Sequence, residues 1–499
     1  MGRLMPIERE VKLAASPTFR MPPLDDLGDD VLVIPHDPAR LETVYFDTAD
    51  LRLARWGISL RHREGQGWTV KLPPEDDGVL LARGEFAFPG EDASSPSGDA
   101  VDLIRAYVRT ATLRPVVRLR TIRRKTQLLD FDDRGLGEVV DDEVSVLAGR
   151  RVAARFRELE VEITDETPDG LLDEVLRRLH EAGAGAADPT TKYVRAVGPL
   201  ALEPPEVRVR DLPNDATVGA VLGRAFSRSV IHLMRHDAVM RLDVDPEGVH
   251  QARVASRRLR SDLRTFRASL DPAWAEPFRA ELSWLGTVLG GARDADVLLD
   301  RIRGRTGTIP PAEAPGAAAV IEGLEHRRKE AHIALIEALR SDRYITLLDQ
   351  IVEAAGAPAV LPDADAPARA VAVDLFRGPW QHLRQAVRAA GKQPTDAELH
   401  TIRIRAKRVR YAADTVASLR GRSARSFAEA AAGVQVVLGE HNDAVVAEAW
   451  LRTWAAGHRW GDAAFAAGML AGIERVAAGD ARVRWRRAWK VLLSAWEEL

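Results

Sequence analysis

No cysteine occurs anywhere in the 499 residues, which excludes disulfides, thiolate metal sites and a cysteine nucleophile. No run of about 18 apolar residues is present either, so a membrane-spanning helix is not expected. The opening MGRLMPIERE lacks the apolar stretch of a signal peptide, and the expected location is cytoplasmic. Aromatic residues are only 6% of the chain and never form a run beside its basic segments, so a specific nucleic-acid partner is not expected. Net charge is nearly absent at −3, but 71 basic and 74 acidic residues cancel to give it. Where those charges cluster therefore matters more than their sum.

The length calls for two or three domains, each able to bury a core at 46% hydrophobic residues. Up to about residue 200 the chain alternates in short segments, among them TVYFD (43–47), GISLRHR (57–63), WTVKLP (68–73) and FRELEVEI (156–163). Such a series suggests an antiparallel sheet or barrel. Pro-rich residues 201–216 form a linker, and helical periodicity dominates 217–499 in two related stretches, 217–355 and 368–499. The fold class is thus multidomain α+β.

In the strand half every charged face repeats one theme. The segment IEREVK puts Glu8, Glu10 and Lys12 on one face, with Ile7, Val11 and Leu13 opposite. Arg61 and Arg63 share a face, as do Arg118, Arg120 and Arg124, and Glu158, Glu160 and Glu162. A sheet closed on these faces would enclose carboxylates suited to Mg²⁺ or Mn²⁺ and cations suited to a polyanion.

The ordered set Glu8-x-Glu10-x-Lys12, Arg61/Arg63, Lys71, Arg83 with Glu85, Arg118/Arg120/Arg124, Asp142, Glu158/Glu160 and Lys192 resembles the CYTH domain, the triphosphate-tunnel metalloenzyme family. The resemblance implies an eight-stranded antiparallel β-barrel with a tunnel for a triphosphate. It implies that Glu8, Glu10, Asp142, Glu158 and Glu160 hold Mg²⁺ or Mn²⁺. Phosphate contacts would come from Lys12, Arg61, Arg63, Lys71, Arg83, Arg118, Arg120, Arg124 and Lys192. Glu8, Glu10, Lys12, Glu158 and Glu160 would form the catalytic group. Strand parity selects Asp142 over Asp141 and Arg124 over Arg123.

In the helical half VHQARVASRRLR (249–260) and LHTIRIRAKRVR (399–410) match at equivalent positions. Their basic residues recur at three- and four-residue steps, beside an apolar stripe one residue earlier. Each copy precedes a second signal, LGGARDADVLLD (289–300) and LGEHNDAVVAEAW (438–450), whose Asp294, Asp296 and Asp443 read as partners for arginines. This pattern resembles the CHAD domain, a helical module of two related bundles implicated in binding polyphosphate. The resemblance assigns polyphosphate contacts to His250, Arg253, Arg257, Arg260, Arg264, His400, Arg403, Lys407, Arg408 and Arg410.

Together the resemblances imply metal-dependent hydrolysis of inorganic triphosphate or related short linear phosphates, with polyphosphate captured by the helical domain. They extend the expected location to polyphosphate granules. The alternatives are a non-catalytic polyphosphate-binding or sensing protein, and a hydrolase of nucleoside or thiamine triphosphate.

Overall fold

The computed structural model describes residues 7–28, 30–73, 81–458 and 461–498, with the side chains of 7, 8, 81–83, 416, 418 and 420 outside that description. The chain divides into two compact units, Met1–Glu206 and Val207–Leu499.

The first unit begins with β1 (Ile7–Ala15), β2 (Leu32–Pro35), β3 (Ala39–Asp47), the short α1 (Arg52–Arg55), β4 (Ser59–Arg63), β5 (Gly67–Lys71) and β6 (Leu81–Phe88). The short α2 (Gly98–Leu103) and α3 (Arg105–Val108) lead into three long strands, β7 (Arg114–Leu129), β8 (Gly135–Ala148) and β9 (Arg151–Ile163). Then follow α4 (Leu171–Glu181) and α5 (Lys192–Val197). The strands are hydrogen-bonded antiparallel in the order β7-β3-β4-β5-β6-β1-β9-β8, and a β7–β8 pairing closes this ring of eight. Strand β2 adds to β7 beyond the end of β3.

The β7–β8 hairpin is set by Asp130, whose Oδ1 accepts hydrogen bonds from the backbone N–H of Asp132 (2.9 Å) and Arg134 (2.8 Å). Asp133 takes the left-handed conformation this turn requires, at φ 60°.

The covering of the barrel decides which strand face is inward. Leu171, Val175 and Leu179 recur every fourth residue on α4 and pack with Val11, Leu13, Leu159 and Val161 in one core. With the apolar faces of β1 and β9 covered by that helix, their charged faces turn into the lumen. Register then sets Glu10 opposite Glu162, Lys12 opposite Glu160 and Ala14 opposite Glu158.

The second unit is helical: α6 (Val218–Leu242), α7 (Pro246–Thr265), α8 (Pro272–Thr306), α9 (Ala314–Arg340), α10 (Asp342–Gly356), α11 (Ala368–Ala389), α12 (Asp396–Arg420), α13 (Arg422–Gly457) and α14 (Asp462–Glu497). Helices α7 and α12 carry the two copies of the basic stripe. Asp245 caps α7 with Pro246 in its first turn, and Thr395 with Glu398 forms a reciprocal cap on α12. The stripe residues Val249, Ala252, Leu259, Leu263, Leu399, Ile402, Ala406 and Val409 are all buried, so the basic residues beside them lie at the rim of the packed face. No helix among the described residues is long and apolar enough to cross a membrane.

Helices α11–α14 enclose an aromatic core in which Trp380, 1% exposed, packs on Phe427 and Trp489 at 5.5 Å and on Trp496 at 5.0 Å between ring centroids. Trp380→Ala leaves a cavity there and is expected to cost about 3–5 kcal/mol. Urea unfolding followed by helical circular dichroism should show the helical unit's midpoint falling.

Candidate functional site

The barrel lumen holds a cavity of about 320 Å³ lined by side chains from both ends of the first unit. Glu10 and Lys12 of β1, and Glu160 and Glu162 of β9, form an acidic wall. Arg61 and Arg63 of β4, Lys71 of β5 and Arg123 of β7 form a basic one. Lys192 enters from the first turn of α5, whose N-cap Thr191 accepts a hydrogen bond from Val194 N–H. The next residue, Tyr193, anchors that turn. Its ring stacks on Tyr45 at 5.0 Å and its hydroxyl donates to Asp47 Oδ2 at 2.6 Å. Asp47 also accepts from the backbone N–H of Leu53 and Ala54 at 2.9 Å, so one buried carboxylate ties α1, β3 and α5 together.

Ion pairs within the lumen are dense. Lys12 Nζ lies 2.6 Å from Glu10 and also contacts Glu160. Lys192 Nζ is 2.9 Å from Asp142 and 2.8 Å from both Glu158 and Glu160. Arg123 grips Asp142 with two hydrogen bonds, 3.0 and 2.7 Å, and reaches Glu160 at 3.2 Å. Burial acts to lower the pKa of Lys192, but Glu158, Glu160 and Asp142 outweigh it and hold the ammonium well above its ordinary range. Burial pushes Glu160 up, yet Lys12, Lys192 and Arg123 hold it well below the usual carboxylate range. For Glu158 burial prevails over Lys192 and the pKa rises. Arg63 has no carboxylate within ion-pair distance among the described residues. Burial and then Arg61 bring it down to about 10.

The helical unit contains a second charged cavity, a cleft of about 350 Å³ between α7, α8 and α12. Arg253, Arg257, Arg260, Arg264, His400, Arg403, Lys407 and Arg408 line it. Gly286 of α8 leaves room for one of them, since a Cβ there would stand 2.9 Å from Arg260 Nη1. The Nε atoms of Arg257 and Arg403 are buried without a hydrogen-bond acceptor. Burial first, then Arg403, Arg257 and Arg253, lowers Lys407 to about 7. Asp294 lies 2.8 Å from Arg253, Asp443 3.8 Å from Arg403, and Asp296 2.8 Å from Arg328, each placed beside an arginine.

The CYTH domain family model matches residues 6–194 and the CHAD domain model residues 224–452. Uncharacterized proteins of two Mycobacterium tuberculosis strains, CDC 1551 / Oshkosh and H37Rv, are each 33% identical over 510 aligned residues, 94% of this chain and 92% of theirs. The chain belongs to the CYTH–CHAD family. Among solved structures, PptA from Streptomyces chartreusis is 23% identical over 55% of this chain and 99% of its own, with a TM-score of 0.48. The CHAD domain from Ricinus communis is 28% identical over 59% of this chain and 96% of its own, with a TM-score of 0.44.

CYTH domains are metal-dependent, and the lumen fits a divalent ion. Glu10, Glu160 and Glu162 each present a carboxylate oxygen within 4.8 Å of the others. Neither carboxylate oxygen of buried Glu158 meets a donor in hydrogen-bonding geometry, although Lys192 is close. An all-oxygen anionic set of this kind suits hard cations of the Mg²⁺ or Mn²⁺ type.

The lumen therefore gathers Glu10, Lys12, Arg61, Arg63, Lys71, Glu160 and Lys192, with Asp142 and Glu158 ion-paired to Lys192. The side chains of Glu8 and Arg83 lie outside the described residues, and register alone pairs these two positions across β1 and β6. One expectation is corrected. Arg118 and Arg124 are exposed on the outer face of β7, and Arg120 beside them donates to Glu42 at 2.7 Å. Arg124 meets Glu143 at 2.8 Å outside the barrel. The opposite parity points inward because Leu119 packs with Tyr45, Val144 and Tyr193, and this carries Arg123 into the lumen in place of Arg124.

In the CHAD cleft a second correction concerns His250 and Arg410, which do not line it. Burial and the nearby Arg293 lower the pKa of half-buried His250. Arg410 turns to Asp414, one helical turn on at 3.6 Å, and to Gln435. Sequence reasoning missed Arg123 and the metal-side place of Glu162, although the period-two pattern already placed Glu162 with Glu158 and Glu160. It also missed Asp47 and Tyr193, for which no local signal exists.

Proposed function

We propose that this CYTH–CHAD protein hydrolyses inorganic triphosphate or short linear polyphosphates in its lumen and holds polyphosphate in its helical cleft. The observation that carries the reading is the opposition of an acidic wall and a basic wall across one small cavity. Six cations (Lys12, Arg61, Arg63, Lys71, Arg123, Lys192) are balanced there by Glu10, Glu85, Asp142, Glu158, Glu160 and Glu162. A lumen so nearly neutral would hold a multiply charged anion poorly on its own, and divalent cations held by Glu10, Glu160 and Glu162 would supply the missing charge. When bound by Glu10, Glu160 and Glu162, a divalent ion provides Lewis-acid polarisation and an activated water.

The chain's own residues do the rest. Arg61, Arg63 and Lys71 grip phosphate oxygens from the basic wall, and Arg63, with no carboxylate to release, is the readiest of them. Lys12 and Lys192 stand among the carboxylates of the acidic wall, where they neutralise charge on the phosphoryl group and, for triphosphate, the departing diphosphate. The cleft of α7 and α12, with buried guanidinium donors awaiting acceptors, suits a longer phosphate chain.

Phosphate release from tripolyphosphate by the full chain tests the reading. Turnover is expected with Mg²⁺ or Mn²⁺ and should stop on adding EDTA, with ATP and thiamine triphosphate assayed alongside. Tight binding of tripolyphosphate without metal-dependent release of phosphate would overturn the hydrolase and leave a binding protein.

A further inference from the structure

Helix α14 packs on α13 and α9, and another of its faces carries large apolar side chains in the open. Phe465 is 60% exposed, Val476 66% and Val483 77%. With Gly468, Gly472 and Gly479 they fall within about 80° of one another around the helix, so they form one straight ridge. We propose that this ridge pairs with the same ridge of a second copy of the chain, antiparallel, to make a weak homodimer. The proposal goes beyond the lumen and cleft reading and depends on neither.

The apolar side chains are the first argument. An exposed helix face of this kind costs solubility and marks a docking surface when it is continuous. It continues sideways, since Val476 also borders a groove of about 380 Å³ against α8 and α13, lined on α14 by Ile473 and Ala477. The glycines are a separate argument. Each costs about 1 kcal/mol relative to alanine inside a helix. Packing within the chain gives no reason for them, because a Cβ at 468, 472 or 479 would meet nothing within 4 Å among the described residues. A second helix backbone in close approach supplies that reason.

Shape and charge name the occupant. Around a two-fold axis between Gly472 and Val476, an antiparallel copy sets Phe465 against Val483 and Val476 into the gap at Gly472. The same register brings exposed Asp462 of one copy beside exposed Arg487 of the other, twice over. A parallel copy would instead stack exposed Arg484, Arg487 and Lys490 on their own counterparts and align the two helix dipoles. The ridge from 465 to 483 is about 27 Å long, which is small for a specific interface, so a dissociation constant on the order of 10 µM is expected.

Sedimentation velocity of the full chain in EDTA, from about 1 to 200 µM, reads the association. The parent is expected to pass from monomer to dimer across that range. Val476→Glu/Val483→Glu should weaken the dimer at least about tenfold by bringing like charges together at its centre. Both positions are exposed, so the helical circular dichroism of the variant should match that of the parent. Direction is read by cross-linking, for which a chain without cysteine gives no background. On oxidation Phe465→Cys/Val483→Cys should give a disulfide-linked dimer, since the two positions lie too far apart along one helix to pair within a chain. Phe465→Cys alone should stay uncross-linked, and its cross-linking would overturn the antiparallel pairing. A parent that is monomeric throughout the range, or a dimer unchanged in the Val476/Val483 variant, would overturn the proposal. So would binding of the parent, but not of that variant, to phosphatidylcholine–phosphatidylglycerol vesicles without self-association, which would assign the ridge to a lipid surface. None of these experiments reads phosphate binding or hydrolysis, so failure of the lumen reading leaves them unaffected.

Discussion

Glu160→Gln is expected to lower metal-dependent phosphate release from tripolyphosphate by about 10³-fold, the scale set by loss of one preorganised charge at a reacting phosphoryl group. Glu160 is a densely paired carboxylate of the lumen. It meets Lys12, Lys192 and Arg123, and it belongs to the three-carboxylate set with Glu10 and Glu162. Glutamine keeps the volume and an acceptor oxygen, so packing survives, but the set keeps only two anionic members and its affinity for a divalent ion falls. Lys12, Lys192 and Arg123 meanwhile lose a shared counter-charge. Binding of tripolyphosphate in EDTA should therefore be kept or strengthened while turnover collapses. That opposition separates a role in the reaction from a role in holding the barrel together. Turnover of the variant at the parent rate over a Mg²⁺ titration would remove Glu160 from the reaction.

The second large effect belongs to the cleft and runs with pH. Lys407 is partly buried and its pKa falls to about 7 from 10.5. The groups that face it are Arg403 on its own helix, Arg257 and Arg253 from α7, and Asp443 from α13. Below pH 7 the amine is charged in both the folded and unfolded chain. Between about 7 and 10.5 the unfolded chain binds the additional proton, so stability of the ligand-free protein rises with pH through that window. Polyphosphate has the opposite preference, since it favours the ammonium. Its affinity should fall from pH 7 to pH 9 by up to about tenfold per unit, the limit for one linked proton. Lys407→Arg, charged throughout, is expected to flatten the binding profile. A parent profile already flat from pH 7 to 9 would show that Lys407 does not take up a proton on binding.

Much of this site was legible because the two periodicities carry it. Residues Glu10, Lys12, Glu158, Glu160 and Glu162 alternate in step, and the apolar residues between them are the ones α4 buries. The repeated stripes on α7 and α12 likewise announced a shared basic cleft, and eight of the ten residues assigned to it line one. The failures came where a local pattern has two equivalent readings. Arg118, Arg120 and Arg124 form as regular an alternation as the glutamates do, yet theirs is the solvated face of β7. Arg410 keeps the step of the basic stripe, yet it turns to Asp414 and Gln435 and does not line the cleft.

By itself the sequence determined the order of the domains, the two faces of the strands, and the pairing of two basic helices. Those properties depend on spacing along the chain, which period two and period 3.6 make explicit. Only the tertiary structure decided that Arg123 enters the lumen and that Asp47 and Tyr193 anchor Lys192. A strand's alternation defines two faces without saying which is inside. That choice is made by the packing of Leu119 on Tyr45 and Tyr193, and of α4 on Val11 and Leu13, contacts between segments far apart in the chain.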